Sequence, residues 1–376
     1  GGRVAGTMDS RKTVRRQSGI ELLRIIAMYL IVTHHMVNHN SFDFLGQPGS
    51  FRQVVLSLFQ FVPGKIGIAL FFIASAWFLS TGTANLKNAC RKIWVLECEI
   101  LFWSIAGLVF QLLINPEVVH FQQVIMAFFP TITQLWWYTT CYALFLIFLP
   151  FINLSLRRIG QNVHKKLAVV MVVVWGVSSV IPYSSMGIGL NLIAFMYVYT
   201  LITYYRWYMQ PVSTRFAVVA VLICGILLLA WNILFGLLYT DEYASEYQAI
   251  LYILDREWSL PVLGVSFGMF IVFSRMRFHS RLVNSVASWT LGVYLITDHP
   301  FVRELLWTQW FAFDKYYQTR LPIVWMLAIS AFVFVVALML EAIRKSLFAI
   351  IFNREGVFER MWGIAVHTIG SVSNIR

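Results

Sequence analysis

The stretch IELLRIIAMYLIVTHHMV (20–37) is apolar, yet it carries Glu21, Arg24, His34 and His35, with His39 just past its end. Ionisable side chains inside a hydrocarbon-length run are costly, and by default they mark a function or face a bundle interior. Imidazoles handle protons near neutral pH, and guanidinium groups hold anions. Glu21 and Arg24 stand three apart, so on a helix they share a face and can pair. His35 follows Arg24 by eleven residues, a rise of about 16 Å that leaves the two side chains within about 20° in azimuth. Glu21, Arg24 and His35 therefore form one polar stripe, while His34 points about 100° away. A plainer reading stays open: a snorkelling interfacial pair, with histidines that only bond neighbouring helices.

Those residues need elements to hold them, and the composition says which kind. The chain has 376 residues, 59% of them hydrophobic and only 12% charged. Its mean hydropathy is +0.72. Soluble domains carry about 25% charged residues, so water-soluble globular, disordered, collagen-like and disulfide-scaffold classes are excluded. The pattern predicts an all-α polytopic transmembrane bundle, because backbone groups in lipid must bond internally. About ten runs are long enough to span: 20–37, 58–80, 93–114, 134–153, 167–182, 187–205, 216–239, 259–274, 286–305 and 321–343. Most of the 29 Lys and Arg then fall in segments on one side, which places both termini in the cytoplasm. The same bias accounts for the net charge of +12 without nucleic acid.

Residues 1–17 read as a basic cytoplasmic arm, with GGRVAGT (1–7) before Met8 resembling a cloning remnant. Residues 18–345 form the transmembrane domain. The tail, 346–376, alternates apolar and charged residues and suits an interfacial amphipathic helix. The acid- and tyrosine-rich loop 240–258 reads as a solvated loop or as a lid over an outward-facing site. Cys90, Cys98, Cys141 and Cys224 lack CxxC spacing, so neither a disulfide framework nor a metal site is expected.

Four segments, in order, are similar to the acyltransferase-3 family of integral-membrane acyltransferases. RRQSGIELLRIIAMYLIVTHH resembles its opening helix, with Glu21, Arg24 and His35 at the acid, arginine and histidine positions. GKIGIALFFIASAWFLS (64–80) resembles its second-span stretch, with Ser75 at the serine and Ala76 in place of glycine. LWWYTTCYALFLIFLPFINL (135–154) resembles its Trp-Tyr span. WTLGVYLITDHPFVRELLW (289–307) resembles a late span often written Tyr-Leu-Ile-His, and the Gram-positive-type members look closest. Three departures stand out. Thr297 replaces the late histidine, with His299 two residues on. The third-span entrance reads KNACRK, with Asn88 and Arg91 where two arginines are usual. A proline common after that pair is absent, and Glu97 and Glu99 follow instead.

The resemblance implies acyl transfer, usually of acetyl, from cytoplasmic acyl-CoA to a hydroxyl of an extracytoplasmic acceptor such as a surface glycan, at the bacterial cytoplasmic membrane. An attacking alcohol must lose its proton, and His35 becomes the general base. Glu21 orients Arg24. Arg24, Lys87, Arg91 and Lys92 would hold the donor's phosphates or carbonyls, although the charge bias of cytoplasmic loops explains the last three equally well. Trp136, Trp137 and Tyr138, with Ser75, would meet the acceptor, or the aromatics would belong to an interfacial belt. Asp298 and His299 would form a proton-handling pair, an arrangement that adjacent helix positions disfavour. A transporter of a small polar molecule using the same stripe, or a non-catalytic scaffold, are the alternatives. No internal repeat of the kind common in transporters is visible.

Overall fold

A computed structural model of the chain describes residues 17–81, 85–181, 191–238 and 256–373, and all regular structure among them is helical. The helices are α1 (Ser18–Asn38), α2 (Phe51–Phe61), α3 (Pro63–Leu79), α4 (Leu86–Ile114), α5 (Phe121–Phe128), α6 (Trp137–Arg158), α7 (Gly160–Met171), α8 (Asn191–Tyr208), α9 (Thr214–Leu238), α10 (Leu260–Ser274), α11 (Arg281–Ala287), α12 (Thr290–Thr297), α13 (Pro300–Glu304), α14 (Pro322–Ile351) and α15 (Arg354–Ser373). Local chemistry sets several starts. Ser50 accepts from the Gln53 amide at 3.2 Å and Asn85 from the Asn88 amide at 2.8 Å, each satisfying an orphan donor of the first turn. Proline opens α3 and α14, where its missing N–H costs nothing.

Among the described residues, seven helical stretches are long and apolar enough to cross a membrane. They are α1, α2 with α3, α4, α6, α7 with its continuation to Val180, α9 and α14. The other three expected spans correspond to helices that fall short of that measure. Helix α8, with Arg206 and five tyrosines, falls below the hydropathy of the seven, α10 has 15 residues, and the segment 286–305 is not one helix. The reason for the last is local. Pro300 cannot donate to a continuing helix, and it pushes the preceding residue towards extended backbone. His299 accordingly sits at φ −59°, ψ 127°, and the chain ends α12 at Thr297 before restarting at Pro300.

Helix α1 runs through the middle of the bundle, packed against α2, α3, α10, α11, α12 and α14. Its polar stripe therefore faces protein. Glu21, His34 and His35 are buried, whereas Leu222, Ile226, Val335 and Met339 on α9 and α14 point their apolar side chains outward, as a lipid-facing surface requires. The α1–α3 contact depends on glycine: a Cβ on Gly67 would lie 2.6 Å from the Ala27 carbonyl oxygen.

The two ends of the bundle are tied differently. At the end where α1 starts, Ser18 donates to the Asn284 side chain at 2.9 Å. At the far end, Asn40 donates to the Phe311 carbonyl at 3.2 Å and Arg52 to the Tyr317 carbonyl at 2.7 Å. Helix α14 continues past residue 345 to Ile351, and the tail follows as α15. That helix leans on the start of α4. Lys87 pairs with Glu359 at 2.8 Å, and Arg91 pairs with Glu355 at 3.6 Å and with Glu359. The Trp94 indole donates to the Arg354 carbonyl at 2.9 Å. A buried ion cluster joins α4 to α14: Arg344 donates to Glu341 at 2.8 and 2.5 Å and approaches Glu99 at 3.4 Å, while the Trp103 indole donates to Glu341 at 2.7 Å.

Candidate active site

Helix α1 delivers the stripe as its spacing predicts. Arg24 donates to Glu21 at 3.1 Å, and its guanidinium lies 5.7 Å from the Phe71 ring of α3. Higher on the same helix, His35 meets a partner from the broken segment. The Asp298 carboxylate, one residue past α12, sits 3.7 Å from His35 Nδ1 and 3.8 Å from His39 Nε2. Arg303 of α13 donates to the same carboxylate oxygen at 3.1 Å. Breaking the helix is what makes this possible: Asp298 leaves the helical spiral and turns towards α1, while Pro300 starts a new turn that brings Arg303 back over it.

The cluster is buried at His35 and Asp298 and partly exposed at its rim. His35 is 8% exposed, and the side chains of His39 and Arg303 are 28% and 34% exposed. The more exposed members, His39 and Arg303, lie towards the end of the bundle opposite the start of α1. His35 Nδ1 has no hydrogen bond within normal distance, so its 3.7 Å approach to Asp298 is an electrostatic contact that tightens only with a small shift. The donor atoms of His35, His39 and Asp298 lie within 4.8 Å of one another, a spacing that suits a small cation. The Arg303 charge on the same carboxylate oxygen opposes a second positive ion there.

Aromatic rings connect this cluster to Arg24. Tyr294 lies 6.2 Å from His35 and 6.2 Å from Tyr138, and Tyr138 stacks on Tyr142 at 6.3 Å. The Tyr142 hydroxyl reaches Ser75, and the charge of Arg24 acts on both Tyr138 and Tyr142. The Tyr294 hydroxyl approaches the Asp298 carboxylate without the alignment of a formed hydrogen bond. Arg24, Ser75, Tyr138 and His35, singled out from the sequence, are thereby brought into one continuous region. Tyr142, Tyr294, Arg303 and His39 complete it. Tyr142 follows Tyr138 at helical spacing, a signal present in the sequence; Arg303 has no such signal, because its approach depends on the helix break.

Other expected site residues lie elsewhere. Trp136 is buried, 1% exposed, with its ring 5.8 Å from His299. Trp137 packs edge-on to Tyr138 at 5.8 Å. Asp298 and His299 have different neighbours: Asp298 meets the α1 histidines, and His299 turns away from α1 against Gly107 of α4. A Cβ on Gly107 would lie 2.3 Å from the His299 ring. His299 lines two adjoining cavities, an apolar one of about 500 Å³ with Trp103 and Phe332, and one of about 340 Å³ with Gln111, Gln123 and Glu304. Neither is lined by His35 or Arg24. Thr297, at the position of the family's histidine, donates to the Val293 carbonyl of its own helix at 2.9 Å. Lys87 and Arg91 are engaged with α15, and Lys92 is exposed on α4. Most of the loop 240–258, the suggested lid, lies outside the described residues, although Glu257 at its end lies 3.7 Å from Lys65.

A His–Asp–Arg cluster thus sits between the central helix and a broken one, in a bundle with several helices long and apolar enough to cross a membrane. The family model described as an acyltransferase domain, acyltransferase-3, matches residues 17–342, and the chain belongs to that family. Comparison with curated proteins and with solved structures gives no match. Membership favours acyl transfer over transport for the polar interior of the bundle.

Proposed function

We propose that the protein transfers an acyl group, acetyl in the simplest case, from cytoplasmic acyl-CoA to a hydroxyl of an extracytoplasmic acceptor such as a surface glycan, in the cytoplasmic membrane of a bacterium. The observation that carries this reading is the His35–Asp298 approach inside a bundle of the acyltransferase-3 family. With Nδ1 turned to the carboxylate, Nε2 is the atom available to the substrate. His35 takes the hydroxyl proton as the acceptor oxygen attacks the thioester carbonyl carbon. The tetrahedral adduct then collapses, the carbon–sulfur bond breaks, and the proton passes from the imidazolium to the departing thiolate. Asp298 stabilises the transient imidazolium and orients the ring. Arg303 holds Asp298 in place, and Glu21 holds Arg24 at the donor side.

The partly exposed rim of the cluster at His39 and Arg303 fits an acceptor arriving from the outer side, given the orientation that the basic segments favour. The test is transfer or hydrolysis of radiolabelled acetyl-CoA by the purified protein in nanodiscs. His35→Gln is expected to abolish turnover while leaving the protein folded. Full activity in that variant would refute the assignment of the base.

A further inference from the structure

Two groups of described cations towards the end where α1 starts differ in their surroundings. On the α4 side, Lys87 and Arg91 are matched by Glu355 and Glu359 of α15, so an incoming phosphate would have to displace two carboxylates. On the α10 side, a cavity of about 800 Å³ is lined by Arg275, Arg277 and His279 together with Gln17, Ser274, Met276 and Phe278. Among the described residues, no carboxylate lines it. Arg275 is held in position, donating to the Thr214 hydroxyl at 2.7 Å and to the Val212 carbonyl. Arg277 and His279 are exposed and form no ion pair among the described residues. Loop charge bias accounts for the sign of these residues; the consecutive stretch 274–279 and Gln17 at the start of α1 together frame one concave space.

The geometry points to this basin as the binding site for the phosphorylated nucleotide end of the acyl donor, a deepening that rests on the acyl-CoA reading above. That end of the donor carries a sugar phosphate and a pyrophosphate, and paired guanidinium groups suit such oxygens through charge-assisted bonds. The position along α1 suits the remainder of the donor. Gln17 lines the basin, Arg24 stands about 10 Å further along the helix, and His35 about 27 Å along it. The flexible pantetheine arm then follows α1 past Arg24 towards the imidazole. The two carboxylates on α15 are a neutralising face for α4, and the donor does not need to disturb them.

The test uses the full chain in nanodiscs and two readouts. In the first, calorimetry with 3′,5′-ADP measures nucleotide binding without turnover. Arg277→Ala with His279→Ala is expected to weaken it about tenfold, the size of one lost charge-assisted bond. In the second, the preference for acetyl-CoA over S-acetylpantetheine, read as a ratio of kcat/KM, falls by about the same factor. Binding of 3′,5′-ADP within twofold of the parent protein would overturn the basin, as would a parent protein that does not bind it. Loss of that binding in Lys87→Ala with Arg91→Ala, but not in the basin variant, would move the site to α4. His35→Gln separates the two proposals: an active His35→Gln protein with an ADP-sensitive basin refutes the base and leaves the nucleotide site standing.

Discussion

Replacing Asp298 by Asn removes one charge and keeps the shape of the side chain. The carboxylate oxygen lies 3.7 Å from His35 Nδ1. Two unit charges at that distance interact by about 4.5 kcal/mol at an effective dielectric of ~20, and by about 1 kcal/mol in bulk water. The site lies between these limits, since His39 and Arg303 keep it partly open. Arg303, 3.1 Å from the same oxygen, also draws on the carboxylate's charge and reduces what reaches the imidazolium. A loss of about 2–3 kcal/mol of transition-state stabilisation follows, or roughly a hundredfold in kcat. The charge is needed only when His35 becomes an imidazolium, so KM for acetyl-CoA should change little. The assay is steady-state turnover of radiolabelled acetyl-CoA in nanodiscs, with Asp298→Glu as the conservative comparison and thermal unfolding as the folding control. An Asp298→Asn enzyme that folds and turns over within twofold of the parent would refute the role given to this carboxylate.

Other expectations come from packing and from the tail. Gly107→Ala would place a Cβ 2.3 Å from the His299 ring; a cost of about 1–3 kcal/mol is expected, read as a lower Tm, and an unchanged Tm would mean that the ring moves freely. Arg344→Met would leave Glu341 and Glu99 buried without their guanidinium; a loss of about 3–5 kcal/mol is expected, seen as poor recovery of folded protein, and Glu341→Gln in the same background should recover part of it. Lys87, then Arg91, hydrogen-bonds Glu359 and holds its carboxyl below the ordinary value of 4.5. A lowered folded-state value means that the contact is complete above 4.5 and is lost as pH falls through the lowered value. Hydrogen exchange across α15 should therefore rise only below that ordinary value, and Glu359→Gln should show the faster exchange already at neutral pH.

Much of the site was legible because helical spacing is a property of the chain itself. Glu21 and Arg24 pair as their three-residue separation requires, and the charge of Arg24 acts on Tyr138. The surroundings of Trp136 could not be read from the sequence. An aromatic residue at the head of a span suits the interfacial belt equally well, and only the turn ahead of α6 decides that this one is buried against His299. The donor cations show the same limit. KNACRK announces three charges, but the carboxylates that neutralise two of them lie some 270 residues away on α15.

By itself, the sequence determined that the chain is a helical membrane protein, that its first helix carries a polar seam, and which residues lie on it. These follow from hydropathy and from the fixed turn of a helix, which need no knowledge of neighbours. Tertiary structure alone decided what the seam faces. Asp298 and His299 are adjacent in the chain, and the extended backbone that Pro300 imposes on His299 sends one to the α1 histidines and the other to α4. A carboxylate acts over a few ångströms, and only the packing of α1 against the broken helix brings one that close to His35.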